Sequence, residues 1–153
     1  MMNTSRQLAT FYLDGFFFGI EVEKVQEVIR YQEMTNVPLA PALIRGLINL
    51  RGQIVTALDL RQQLDMPSRT STKAPLNIVI RHQRGVVSLL VDEIDDIVEV
   101  DPNDFEMPPE TVMARTRTLI EGVYKLPSRL LLVLNTSLAI RVGPSGADLK
   151  EQS

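Results

Sequence analysis

Turn signals cut this sequence into short apolar runs at intervals of about ten residues, and that punctuation restricts the chain to small β architectures. The runs "ATFYL" and "FFFGIEV" flank Asp14-Gly15. Asp-Gly is a hairpin signal because both central positions of a two-residue turn can need φ > 0. "LINL" and "QIVTAL" flank Arg51-Gly52 in the same way, which predicts a second hairpin with Gly52 taking the positive φ. Further strands are expected at "LNIVIRH", "VVSLLVD" and "IVEV", and at "LIEGVYKL" and "RLLLVLN" across Pro127-Ser128. Between the first two hairpins the period changes. Val22, Val25 and Ile29 lie at i, i+3 and i+7, which predicts a short amphipathic helix, with an extended reading of Glu27–Arg30 competing. Pro38 and Pro41 mark a loop, Asp59 is expected to cap a short helix at "LRQQL", and Asp65–Pro75 reads as a flexible loop. Thr136 is expected to cap a last helix at "SLAI". No repeat of fixed period is visible. The pattern points to small barrels or a sandwich.

An apolar fraction of 44% over 153 residues suits one domain, or two small lobes on one core. Sixteen basic against nineteen acidic residues leave a net charge of -3, which argues against nucleic acid as a partner. The absence of Cys removes disulfides, thiolate catalysis and Cys-ligated zinc together. The apolar run Leu130–Leu134 is far shorter than the roughly 20 residues of a membrane span, and the first residues lack the apolar core of a secretory leader. A cytoplasmic domain without membrane insertion is the expectation.

Candidate chemistry is sparse. His82, the one histidine, sits at a strand end with no nucleophile or orienting partner implied by spacing, so a surface or turn role is favoured. "DEIDDIVEVD" places Asp92, Glu93, Asp95, Asp96, Glu99 and Asp101 within ten residues. Two of these carboxylates could serve as an acid/base pair or hold a hard cation, which leaves a small hydrolase or metal-binding protein as a remote reading. The run lacks the EF-hand pattern, and its interleaved Ile and Val favour a strand edge with a solvated acidic face, which also discourages edge-to-edge aggregation. "GLINLRG" lacks the Gly-Lys-Ser/Thr that a phosphate loop requires. Neither a catalytic constellation nor a cofactor motif is present, so no enzymatic activity and no cofactor are expected.

The stretch Lys24–Arg61, "KVQEVIRYQEMTNVPLAPALIRGLINLRGQIVTALDLR", strongly resembles the CheW family of chemotaxis coupling proteins. "GIEVEKVQEV", "RGLINLRG" and "IVTALDLR" carry the match. "GVVSLLVDEIDDIVEV" and "RLLLVLNTSLAI" extend it over about residues 7 to 141. The resemblance implies a mainly β fold of two five-stranded SH3-like β-barrels packed on a shared hydrophobic core, with a few short helices. One domain over 7–141 is expected, with residues 1–6 and 143–153 as flexible tails. The resemblance further implies a non-enzymatic adaptor that couples the cytoplasmic tips of methyl-accepting chemoreceptors to the regulatory domain of the histidine kinase CheA. Other CheW-like domains are a further implied partner. A CheW-like adaptor of another receptor–kinase system, such as one controlling surface motility, is the alternative.

Position by position, the resemblance puts Val25, Glu27 and Arg51 where the family has receptor-coupling residues, and Gly46 at a glycine implicated in kinase coupling. Helical spacing alone favours Val25 as core over a receptor contact. Glu27 and Arg51 are expected to pair with each other. A buried pair would hold the fold, whereas an exposed one would contribute little to stability and leave both groups available to a partner. Thr56 departs from the proline common in "IVPxxDL", which restores an N–H for a strand edge to satisfy. The aromatic run Phe16–Phe18 is readable as core or as a contact between lobes.

Overall fold

A computed structural model describes residues 5–69, 73–83 and 85–141. Among these residues the strands are β1 (Arg6–Leu13), β2 (Phe16–Glu21), β3 (Val25–Ile29), β4 (Ile44–Leu50), β5 (Gln53–Asp59), β6 (Leu76–His82), β7 (Gly85–Val91), β8 (Glu93–Val100), β9 (Phe105–Glu106), β10 (Ile120–Lys125) and β11 (Leu130–Leu134). The short helices are α1 (Leu60–Gln63), α2 (Ala114–Leu119) and α3 (Thr136–Ala139). The strands form two sheets, ordered β8-β1-β2-β11-β10-β9 and β3-β6-β7-β5-β4. Most neighbours are antiparallel, four of them consecutive hairpins, and β2–β11 and β5–β7 are the parallel pairs.

Both sheets bury two faces, which explains why their strands read as near-continuous apolar runs. Phe11 and Leu13 of β1 and Phe18 and Ile20 of β2 meet Leu58, Ile78, Ile80, Leu89 and Val91 of the other sheet in one shared core. Phe11 and Phe18 stack there, with ring centroids 5.6 Å apart. The opposite face of the six-stranded sheet buries Leu8, Phe17, Val100, Tyr124 and Leu131 in a core of its own, and Ile48, Leu50, Val55 and Val79 do the same in the five-stranded sheet. Phe17 and Phe18 therefore serve different cores, as the period-2 alternation of a strand requires. Phe16 is half exposed at the hairpin tip.

Both expected hairpins form. Asp14 and Gly15 have φ of 50° and 82°, and Arg51 and Gly52 have 52° and 89°, the paired positive values of a type I′ turn. Arg51 thus shares the left-handed conformation that was expected of Gly52 alone. Asp59 caps α1 by accepting the Arg61 N–H at 3.1 Å, as expected.

Three expectations need correction. No helix covers 22–29: a 3-10 turn at Val22–Lys24 leads directly into β3. An isolated eight-residue helix is marginal, whereas pairing with β6 satisfies this backbone, and the register shift between Val25 and Glu27 gives the apolar residues their misleading spacing. The guanidinium of Arg81 also donates to the carbonyls of Glu23 and Val25, at 3.1 Å each, and pins the entry to the strand. The cap of α3 is Asn135, whose Oδ1 accepts the Leu138 N–H at 3.2 Å, one residue before the expected Thr136. Thr56 is not on an edge, because β5 pairs with β4 on one side and β7 on the other. The described part of Asp65–Pro75 contains no helix or strand; residues 70–72 and the tails at 1–4 and 142–153 lie outside the described residues. Among the described residues, no helix is long and apolar enough to cross a membrane.

Candidate functional site

Where the two sheets face one another at their margins, β3 and β8 leave a cleft of about 290 Å³. Each is an outer strand of its own sheet. Val22, Val25, Glu27 and Val28 line one wall with Ile78 of β6, and Ala9, Ile94, Asp95 and Ile97 line the other. Val28 and Ile97 are 44% and 60% exposed, so the cleft opens to solvent with apolar lips. Thr10 in its floor is satisfied, donating through Oγ1 to the Asp96 carbonyl across the β1–β8 irregularity.

Val25 and Glu27 therefore both line the cleft, and Arg51, which does not line it, reaches Glu27 from a distant part of the sheet. Arg51 projects from the β4–β5 turn, which the Asn49 side chain braces by accepting the Gly52 N–H at 2.8 Å. Its Nη2 donates to Glu27 Oε2 on β3. Because β3 and β4 are the two edges of the five-stranded sheet, a bond from the β4–β5 turn to β3 requires that sheet to curl until its edges approach. The expected pairing is present, and it is exposed: the Arg51 side chain is 67% accessible. The hydrogen bond from Arg51 holds the Glu27 carboxyl below the ordinary carboxylate range. Val25 is half-buried, packed against the shared core while still lining the cleft, so both readings of it describe part of the residue.

Gly46 belongs elsewhere. It is buried on β4 beneath the chain at Met34 and Thr35, where Thr35 bridges Leu47 through a backbone pair of 2.8 and 2.9 Å. His82 ends β6 opposite Gly85.

The acidic run forms β8 and does not converge. Asp95 meets Arg129 at 3.4 Å, Glu93 meets Lys73 at 3.9 Å, and Ser5 donates to Glu99. Among the described residues no three His, Asp or Glu side chains come together as a metal site. Asp92 differs from the rest of the run. It sits where the chain leaves the five-stranded sheet for the six-stranded one and accepts from Arg61 Nε and Nη2 at 3.1 and 2.6 Å, from Arg69, and from the Asp14 N–H at 2.8 Å. Burial opposes its charge, but the bonds from Arg61 and from the Asp14 backbone prevail and hold its carboxyl below the usual range. Sequence reasoning placed Asp92 among solvated acids. The available signal was the pairing of two turn-flanking residues, Asp14 and Asp92, with the arginine of "DLR".

A second apolar pocket of about 280 Å³ lies by Phe16, Phe17, Val112, Met113 and Leu130. The Arg129 guanidinium stands 3.8 Å from the Phe17 ring centroid and donates to the Tyr12 hydroxyl.

Comparison with known proteins adds a family and a fold. The CheW-like domain model matches residues 7–142. The chain is 29% identical to a chemotaxis protein CheW of Bacillus subtilis, over 99% of this chain and 97% of that one. It is 30% identical to a probable chemotaxis protein CheW of Rhizobium etli, over 84% and 83%. Among solved structures, the scaffolding protein TtCheW from Thermoanaerobacter tengcongensis superposes with a TM-score of 0.84 at 24% identity, covering 97% of this chain and 95% of that one. That likeness bears on the fold, and it matches the expected pair of small β units on a shared core.

Proposed function

The chain belongs to the CheW-like domain family, and from that premise we propose that it is a non-enzymatic chemotaxis scaffold coupling chemoreceptor cytoplasmic tips to the regulatory domain of the kinase CheA. The observation that supports this most is the β3–β8 cleft. Its apolar lips at Val28 and Ile97 suit one face of a receptor's helical hairpin, and Glu27, which lines it and is held by Arg51, supplies an oriented charge. Apolar anchors beside a few fixed charges are the composition from which a scaffold draws affinity and register. On this reading Val25 supports the cleft wall, and Arg51, beside Glu27, is the exposed cation offered to a receptor helix. A cytoplasmic location follows from partners that are receptor tips and a soluble kinase domain. Other CheW-like domains are a further partner in this reading.

The test uses purified full-length protein with two fragments, a receptor signalling tip and the CheA regulatory domain. Capture of both by calorimetry or pull-down is expected, and binding of neither would refute the proposal. Binding to the receptor and kinase of another sensory system in place of these would favour the alternative adaptor reading.

A further inference from the structure

Of the two strands that wall the cleft, β3 is the one whose register burial does not fix. None of its five residues is fully buried, and register is weakly specified where no face is. Its pairing with β6 also shifts at Gln26, an extra residue between Val25, opposite Ile80, and Glu27, opposite Val79. The shift decides which side chains reach the cleft. In an uninterrupted strand Val25 would share its face with Glu27 and Ile29, and Val28 would point the other way. With Gln26 inserted, Val28 stands opposite Ile78 and lines the cleft beside Val25, while Ile29 packs on the outer core of the five-stranded sheet.

Two side chains of β6 grip the β3 chain on either side of this irregularity. Before it, the Arg81 guanidinium donates to the Glu23 and Val25 carbonyls. After it, Asn77 Nδ2 donates at 3.3 Å to the Arg30 carbonyl, just past the end of the strand. Asn77 is completely buried in an otherwise apolar stretch of β6, where a polar side chain is costly unless it is bonded. Its Oδ1 accepts from Ser88 Oγ at 2.7 Å, and Ser88 is equally buried. The serine hydroxyl thereby orients the amide, with its NH2 group turned toward the end of β3. A buried polar group bonded in one register only is a device for excluding the others.

We infer that Asn77 and Arg81 are positioning residues for receptor recognition: they hold β3 in its interrupted register and so keep Val28 in the cleft. This rests on the coupling function proposed above and adds to it the groups that set one cleft wall. Neither residue lines the cleft itself.

Full-length protein carrying Asn77→Val with Ser88→Ala tests this without stranding a buried polar group, since both partners become apolar. Its Tm and its affinity for the CheA regulatory domain should match those of the unaltered protein. Measured free of any partner, the β3 amides should lose hydrogen-exchange protection while those bonded between β6 and β7 keep theirs. Receptor-tip affinity should fall about ten- to a hundredfold, as for one valine side chain withdrawn from an interface. Arg81→Gln, a surface change, should act in the same direction. Deleting Gln26 from the double variant creates an alternation that by itself sets Val25 and Val28 on one face, so receptor affinity should recover. Protection of β3 kept by both variants, or lost with receptor affinity unchanged, would overturn the inference alone. So would a loss of receptor binding that the deletion leaves unrepaired, or an equal loss of kinase binding, which marks a general support of the fold. Absence of receptor binding by the unaltered protein would overturn the coupling function and this inference with it.

Discussion

Two arginine–carboxylate sites use the same chemistry for different ends. Arg61 and Asp92 have side chains only 13% and 16% accessible and share a network with Arg69, Asp14 and the Pro67 carbonyl. The network ties the β1–β2 turn of one sheet to α1 of the other, at the point where the chain crosses between them. Arg51 and Glu27 form one ion pair, in which the Arg51 side chain is 67% accessible and that of Glu27 24%. A carboxylate fixed by several donors and screened from water holds structure, because removing a partner strands a desolvated charge. A lone rim pair contributes little to stability and can exchange its partner for one on another protein. Burial, more than the identity of the pair, distinguishes the two arginines, and the proposed function gives the exposed one to a partner.

The largest expected effect is at the buried site. Arg61→Ala leaves Asp92 with Arg69 and one backbone N–H, and should lower unfolding stability by about 1–3 kcal/mol, measured by urea denaturation; no loss would dissolve the contrast between the sites. Acidification should act through the same carboxyl. Its folded pKa is depressed, so its contribution is complete above the ordinary carboxylate value of about 4 and is lost as pH falls through the lower folded value. Stability curves of Asp92→Asn and the unaltered protein should accordingly converge as pH drops below about 4; a constant gap would contradict this. At the exposed site, Arg51→Asn keeps a residue that tolerates positive φ and should leave Tm unchanged to within about 2 °C while weakening receptor-tip binding. A large fall in melting temperature would make this pair a structural one as well. Salt gives the smallest effect. Between about 0.05 and 0.5 M the screening length falls several-fold, which should reduce the Glu27–Arg51 coupling measured by a double-mutant cycle and leave that of Arg61–Asp92 nearly constant.

The hairpins were legible because their turn chemistry is local: Asp14-Gly15 and Arg51-Gly52 state their backbone requirements in two residues each. Asp59 as a cap was readable for the same reason. β3 was not, since its extended state depends on β6, some fifty residues away, and the irregularity at Gln26 imitates a helical period. α2 went unread because Met113 precedes it with no capping side chain to announce a start. For the candidate site, the Glu27–Arg51 contact came from motif positions and could not come from periodicity, as it joins the edge strand β3 to the β4–β5 turn. The opposite wall of the cleft, Ile94 and Ile97, was hidden within a run that reads as acidic.

The proposed receptor-binding role of the cleft is most directly tested by titrating a receptor signalling-tip fragment into full-length protein carrying methyl labels on valine, isoleucine and leucine. Shifts concentrated at Val25, Val28 and Ile97, with the buried Leu58 and Leu89 resonances, which do not line the cleft, following only weakly, are the expected result. Saturable binding that moves other surface methyls and leaves Val28 and Ile97 in place, or no binding at all, would contradict it.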